Sequence, residues 1–270
     1  MEVLYGLHPV EEAVRSGARR LENVMLSRER GDAKLERIAQ LCREAGVRVS
    51  LESRDQLTRM ARTDAHQGAL ALVRERAFLT IEDLLDRKPQ LKSDGSQPAH
   101  RFFLALDGIE DPHNLGALIR TADGAGVDGV ILPERRSAPV TATVAKTSAG
   151  ASEHVRIARV TNLVRALEQM KKANVWVLGL DERGTPDYTD FDFRGDCVLV
   201  LGREGAGLHD LVKKTCDHLL RIPMAGMVSS LNVSVAGAVV MYEAMRQRNQ
   251  PAQEIAKPAA PKKPRKGLGS

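Results

Sequence analysis

The chain has 270 residues, enough for two domains with separate cores, and carries 40 basic against 35 acidic residues for a formal net charge of +5. No apolar run reaches the roughly 18–20 residues that span a bilayer, and the first residues, MEVLYGLHPVEE, lack the basic and apolar regions of a secretory signal. The excess charge is local, with seven basic residues and one acidic residue from Arg246 onward, so any nucleic-acid site must rest on local patches or on that tail, and nine aromatic residues argue against serial base stacking.

Taken in order, LHPVEEAVRSG reads as a helix that tolerates Pro9 in its first turn and stops at Gly17. NVMLS is a short strand. DAKLERIAQLCREAG places Leu35, Ile38, Leu41 and Cys42 on one helical face, with Asp32 as cap and Gly46 as stop. VRVSLE alternates at period two, and GALALV is an apolar strand. Residues 1–75 are thus a small α/β unit of nearly balanced charge, 13 basic and 12 acidic residues. Residues 76–100 have linker character: Thr80 caps a short IEDLLD helix, and KPQLKSDGSQPAH has the composition of an extended connection, which predicts two domains free to move.

From Arg101 the pattern is strand, turn, helix, repeated. FFLALD, GVILP, VWVLGL, CVLVLG and HLLRIP are near-continuous apolar runs, as buried parallel strands require. Helices are predicted at 115–125, 140–149, 161–173, 208–215 and 233–247. The result is an α/β, doubly wound parallel sheet, spanning 101–248. The last helix, VSVAGAVVMYEAM, is apolar on nearly all sides, which requires burial on more than one face. Residues 249–270, rich in Pro, Ala and Lys, are predicted to be a disordered basic tail that serves solubility or loose attraction of polyanions. The three cysteines, Cys42, Cys197 and Cys216, are widely spaced and odd in number, giving neither a zinc pattern nor a disulfide framework; reduced thiols in a cytoplasmic protein without a metal are expected.

Two glycine patterns invite comparison with phosphate loops. GAGVDG, from Gly124, ends a helix and leads into a strand, so it lacks the strand-turn-helix setting of a dinucleotide fingerprint. GREGAG, from Gly202, follows a strand but has no phosphate-loop lysine; its glycines permit close approach of backbone to a ligand. Asn114 precedes the apolar stripe of Leu115, Leu118, Ala122 and Ala125 and reads as an ordinary N-cap. Arg120 lies off that stripe and projects toward solvent or a cleft. Ser230 and Asn232 precede the last helix, where both are good caps.

Three segments in order, LDGIEDPHNLGALIRTADGAG (106–126), LVLGREGAGL (199–208) and RIPMAGMVSSLNVSVA (221–236), resemble the three motifs of the SpoU branch of SPOUT RNA methyltransferases. With MEVLYGLHPVEEAV, DAHQGALALV and MYEAMRQR, the likeness extends over residues 1–248 and is to the bacterial 23S rRNA guanosine 2′-O-methyltransferases. It implies an RNA-binding first domain similar to ribosomal protein L30, a C-terminal trefoil knot and a homodimer with active sites near the subunit interface. The implied cofactor is S-adenosylmethionine, held by backbone groups of Gly202, Ile222 and Leu231, with adenine among Met224, Ala225, Gly226 and Val228. It further implies that Arg120 acts on the ribose hydroxyl, that Asn114, Ser230 and Asn232 contact substrate, and that Glu204 orients Arg120 or the substrate.

A guanidinium is a poor general base near neutral pH. Two roles therefore stand open for Arg120: accepting the proton after being forced neutral by burial, or staying charged, gripping a phosphate and stabilising a developing alkoxide. The expected partner is 23S rRNA or a large-subunit assembly intermediate. The alternatives keep the chemistry and change the RNA, to tRNA or an antibiotic-resistance site in rRNA. A nicotinamide-dependent oxidoreductase is disfavoured by the setting of GAGVDG, and a catalytically silent RNA-binding protein by the full set of site residues.

Overall fold

The computed structural model describes residues 1–86 and 100–250. In the first domain β1 (Glu2–Tyr5), β2 (Leu21–Ser27), β3 (Val49–Glu52) and β4 (Ala69–Val73) form a sheet of order β1-β4-β2-β3. β4 runs antiparallel to both of its neighbours, and β2 runs parallel to β3. Period-two alternation gives the sheet two faces. Val24, Leu26, Ala69 and Ala71 pack against α1 (Leu7–Ser16) and α2 (Ala33–Glu44), while Met25 and Leu70 meet Leu57 of α3 (Arg54–Ala61). Gly17 ends α1 in the left-handed conformation, and the Asp32 carboxylate accepts from the backbone N–H groups of Lys34 and Leu35 to start α2. Neither β1 nor α3 is signalled by the sequence pattern: β1 is four residues, and α3 buries only Leu57.

The second domain comprises α4 (Ile81–Leu85), β5 (Phe102–Leu106), α5 (Pro112–Gly124), β6 (Gly129–Pro133), α6 (Ala142–Thr147), β7 (Ile157–Val160), α7 (Leu163–Lys172), β8 (Trp176–Leu180), β9 (Cys197–Leu201), α8 (Asp210–Thr215), β10 (His218–Leu220) and α9 (Val233–Asn249). Its six-stranded sheet is parallel throughout, in the order β10-β8-β9-β5-β6-β7. Alternate residues of β5 serve opposite faces: Phe102, Leu104 and Leu106 pack with α5 and α9, and Phe103 and Ala105 with α4 and α7. The connection leaving β5 goes to β6 on one side, and the connection leaving β9 passes β8 to reach β10 on the other, so the direction of winding reverses between β5 and β9. That switch point, at the carboxyl ends of the strands, is where open α/β sheets bind ligands.

Several expectations change. Residues 78–85, read as linker, belong to the second domain: Leu79 bridges to Ala158 beside β7, and Ile81 and Leu84 are buried in its core. β7 escaped the strand reading because IARV is short and carries an exposed Arg159. The helix expected over 140–149 is shorter, running from Ala142 to Thr147, and is followed by a 3₁₀ turn at 151–153. Free movement of the domains is not what the structure has. Ala145 of α6 packs into the first domain's core, and Glu153 is buried between the two units. Linker composition speaks only for the connection, not for the fit of the surfaces it joins. The rest of the linker, 87–99, and the tail beyond Gln250 lie outside the described residues.

Candidate active site

A cavity of about 600 Å³ opens at the carboxyl ends of β8 and β9, walled by the 202–208 turn and the 222–236 segment. Leu180, Ile222, Met224, Leu231 and Ala236 give it an apolar side, and Asp181, Glu182, Arg183 and Lys213 a charged one. Gly202 is required by packing: a Cβ there would stand 2.2 Å from the Gly207 carbonyl carbon and 2.4 Å from the Leu208 nitrogen. The turn closes on itself, the Arg203 N–H donating to the Gly207 carbonyl at 3.0 Å and the Gly207 N–H to the Arg203 carbonyl at 2.9 Å.

Two features, one beside this cavity and one in its wall, were not read from the sequence. Asp107, buried just past β5, accepts from the His209 backbone N–H at 2.7 Å and lies 2.8 Å from the His209 ring Nδ1, which ties the glycine turn to the switch point. Lys213 Nζ donates to Asp181 at 2.7 Å. Burial pushes the Asp181 carboxyl up, but the Lys213 bond and the Arg183 backbone N–H outweigh it and hold the group below its ordinary range. Of these four residues, Asp107 and Asp181 left a trace, each a carboxylate directly after an apolar strand.

The polar side chains named from the sequence divide into a group that meets and a group that does not. Asn114, Glu204 and Asn232 converge: Asn114 Nδ2 donates to Glu204 Oε2 at 3.3 Å, and Asn232 Nδ2 donates to Asn114 Oδ1 at 3.1 Å and to Glu204 Oε1 at 3.3 Å. Asn232 also caps α9, its Oδ1 accepting from the Ser234 N–H at 2.9 Å. The expectation for Asn114 is corrected. Asp111 is the N-cap of α5, accepting from the N–H groups of His113 and Asn114, so the Asn114 side chain is inside the first turn and free for the cluster. The proline at 112 moved the helix start upstream, because proline fits the first helical position.

Ser230 lines the cavity with Gly202, Glu204, Ile222, Met224 and Leu231, and it does not cap α9. Ala225, Gly226 and Val228 do not wall the cavity, and their stretch of chain is exposed. Arg120 is exposed on α5, makes no hydrogen bond or ion pair among the described residues, and does not meet Glu204. Six residues of helix turn it about 120° around the axis from Asn114, which places the two on different sides of α5.

A parallel sheet whose switch-point cleft joins a tight glycine turn to a rim of amide and carboxylate groups defines an α/β enzyme with a nucleoside-sized pocket. The chain belongs to the SpoU rRNA Methylase family, whose profile matches residues 101–242, and a second profile, RNA 2'-O ribose methyltransferase substrate binding, matches residues 3–79. It is 40% identical over 250 residues to the 23S rRNA (guanosine-2'-O-)-methyltransferase RlmB of Escherichia coli K12, covering 92% of this chain and 99% of the relative. The RlmB of Vibrio cholerae is 42% identical over 248 residues, covering 92% and 97%. Among solved structures, the SpoU methyltransferase AviRb of Streptomyces viridochromogenes in complex with AdoMet superimposes with a TM-score of 0.75 at 26% identity, covering 91% of this chain and 89% of that one.

Proposed function

We propose that this protein transfers the methyl group of S-adenosylmethionine to the ribose 2′-hydroxyl of a guanosine in 23S rRNA, within the ribosomal RNA or a large-subunit assembly intermediate. It acts as a cytoplasmic homodimer, with residues 1–75 holding the RNA. The observation that carries the reading is the Asn114–Glu204–Asn232 cluster, drawn from all three motifs and set beside a cavity of suitable size. The trefoil knot belongs to the same reading, supported by the loop after β8, which bridges to β10 at Thr185–Leu219 and beyond it at Asp187–Arg221.

The cavity fits the cofactor. Its volume lies in the ordinary range for small-molecule sites, roughly 300–1,000 Å³, its apolar wall suits an adenine, and Lys213 with Asp181 suits a zwitterion. Gly202, Ile222 and Leu231 would hold it by backbone groups. Bound there, S-adenosylmethionine supplies an activated methyl group.

The protein's part is placement and charge. Asn114 and Asn232 lock the Glu204 carboxylate on the rim, where it can accept from a substrate hydroxyl. Arg120, keeping its proton, grips an adjacent phosphate and stabilises the developing charge on the 2′-oxygen, whose proton passes to solvent water at the open rim. Alignment of that oxygen provides much of the acceleration. Arg120 reaches the reacting ribose in the dimer. The dimer face is the outer side of α9, where Val235 and Tyr242 are about half exposed, together with the apolar Met227 and Val228 of the preceding loop.

Ribose-methylation mapping of total rRNA and tRNA, with and without the gene, tests the reading. Loss of one 2′-O-methylguanosine from 23S rRNA is expected. Loss confined to tRNA, or no loss, would overturn it. Light scattering tests the assembly, with a dimer expected.

A further inference from the structure

The chemistry above leaves unused the buried ion cluster between the two domains. The Glu153 carboxylate, in the 3₁₀ turn after α6, is 2% exposed. Both of its arginine partners come from the first domain's side. Arg19, between α1 and β2, donates through Nε to Oε2 at 3.1 Å, and Arg76, three residues past β4, donates through Nη2 to Oε1 at 2.9 Å. Arg19 also pairs with Glu2, and the Ser152 hydroxyl donates to Oε1 at 3.4 Å.

The surroundings fit this junction closely. Gly150, at φ +88°, is required: a Cβ there would meet the Glu12 side chain at 2.8 Å and the His8 carbonyl at 3.0 Å. His154 Nε2 lies 2.8 Å from Glu12 Oε2, and Lys146 Nζ donates to the Ala65 carbonyl at 3.0 Å. From α6 the contact continues to the site. The Thr147 hydroxyl donates to the Pro112 carbonyl at 3.3 Å, two residues before Asn114. The path from the first domain to the catalytic rim is therefore α1, the Glu153 turn, α6 and the first turn of α5.

A desolvated carboxylate between two guanidiniums adds little net stability compared with apolar packing, but separating the groups leaves uncompensated buried charge. Such a cluster selects one docking geometry more than it strengthens it. We propose that Glu153 is a positioning residue: clamped by Arg19 and Arg76, it fixes the orientation of the first domain relative to Asn114, so that the target ribose is delivered by rigid docking and not by a flexible tether. The inference rests on the reading that the first domain holds RNA.

The test uses the full-length chain with Glu153→Gln and, separately, Arg76→Met, which leaves the catalytic domain's sequence intact. X-ray scattering should show a larger radius of gyration for both variants. With a long rRNA fragment, KM should rise about 10- to 100-fold, while kcat at saturation and S-adenosylmethionine affinity stay within about twofold of the parent. If Glu153→Gln does not fold, Arg76→Met decides. Restored compactness and KM in the triple variant R19M/R76M/E153M, which removes the charges together, would support the clamp as the cause. An unchanged radius with unchanged KM would overturn the proposal. So would an equal loss of cofactor binding and kcat, which would make Glu153 a structural support of α6. The scattering arm reads docking without reference to activity, so a wild-type enzyme that methylates no rRNA would count against the proposed function and leave the docking result standing.

Discussion

Two polar clusters in this molecule are built from similar side chains and serve opposite ends. At the domain junction, Glu153 is buried and matched by Arg19 and Arg76, so its charge is compensated where it sits. At the cavity rim, Glu204 is exposed, and among the described residues the partners of its carboxylate are two amides with no cation. Arg120, exposed on the same domain, is likewise without a counter-ion there. A carboxylate shut in between guanidiniums fixes structure. A carboxylate and a guanidinium left open to solvent keep their interactions available for a substrate that brings hydroxyls and phosphates.

The sharpest way to break this comparison is to neutralise each carboxylate in turn. Glu153→Gln should lower unfolding stability by ~3–5 kcal/mol, because the largely desolvated Arg76 loses its counter-charge and the buried Arg19 keeps only Glu2. Glu204→Gln should change stability by no more than ~0.5 kcal/mol while reducing methyl transfer. Denaturant titration beside a methylation assay reads both, and equal stability losses would erase the distinction. Next in size, Arg120→Ala should cost at least ~2.7 kcal/mol of transition-state stabilisation, about 10²-fold in rate, with cofactor affinity and fold unchanged. Turnover within a few-fold of the parent would remove Arg120 from the mechanism.

The first turn of α5 offers a finer contrast. Asp111→Ala should cost about 1 kcal/mol of stability through loss of the cap. Asn114→Ala should leave stability nearly unchanged and reduce activity by roughly tenfold, the worth of one to two hydrogen bonds. Thermal melts and steady-state rates of the pair decide between cap and site.

The smallest effect concerns pH. His66 is buried, its Nδ1 accepting from the Gly68 N–H at 3.0 Å and its Nε2 lying 3.1 Å from the Thr58 hydroxyl. Burial, helped by the Arg54 charge, lowers its pKa from the ordinary imidazole value. The unfolded chain therefore takes up the proton first. The contribution is fully present above about pH 6.5 and is lost as pH falls through the lowered folded value. Thermal melts from pH 8 to 5 should show a steeper acid decline for the parent than for His66→Gln. Parallel declines would assign the acid sensitivity elsewhere.

Much of the fold was written in local pattern. The buried strands of the second domain declare themselves because a parallel strand covered on both faces is apolar throughout, α1, α2 and α7 because caps and a 3.6-residue period are local properties, and α9 because a long apolar run follows good capping residues. The short β1, α3 and β7 were not legible, since each depends on neighbours for what little it buries. The motifs supplied the names of Asn114, Glu204, Ser230 and Asn232, but not which of them meet.

The sequence by itself determined the domain order, the parallel α/β class and the small set of polar residues at the strand-end turns. These follow from periodicity, capping chemistry and glycine placement within a few residues of one another. Tertiary structure alone decided that Asn114 joins Glu204 and Asn232, that Arg120 stands apart, and that Arg19 and Arg76 close on Glu153 across more than seventy residues of chain. The physical reason is that side-chain hydrogen bonds and buried ion pairs are satisfied by whatever the fold brings within about 3 Å, and sequence distance carries no record of that.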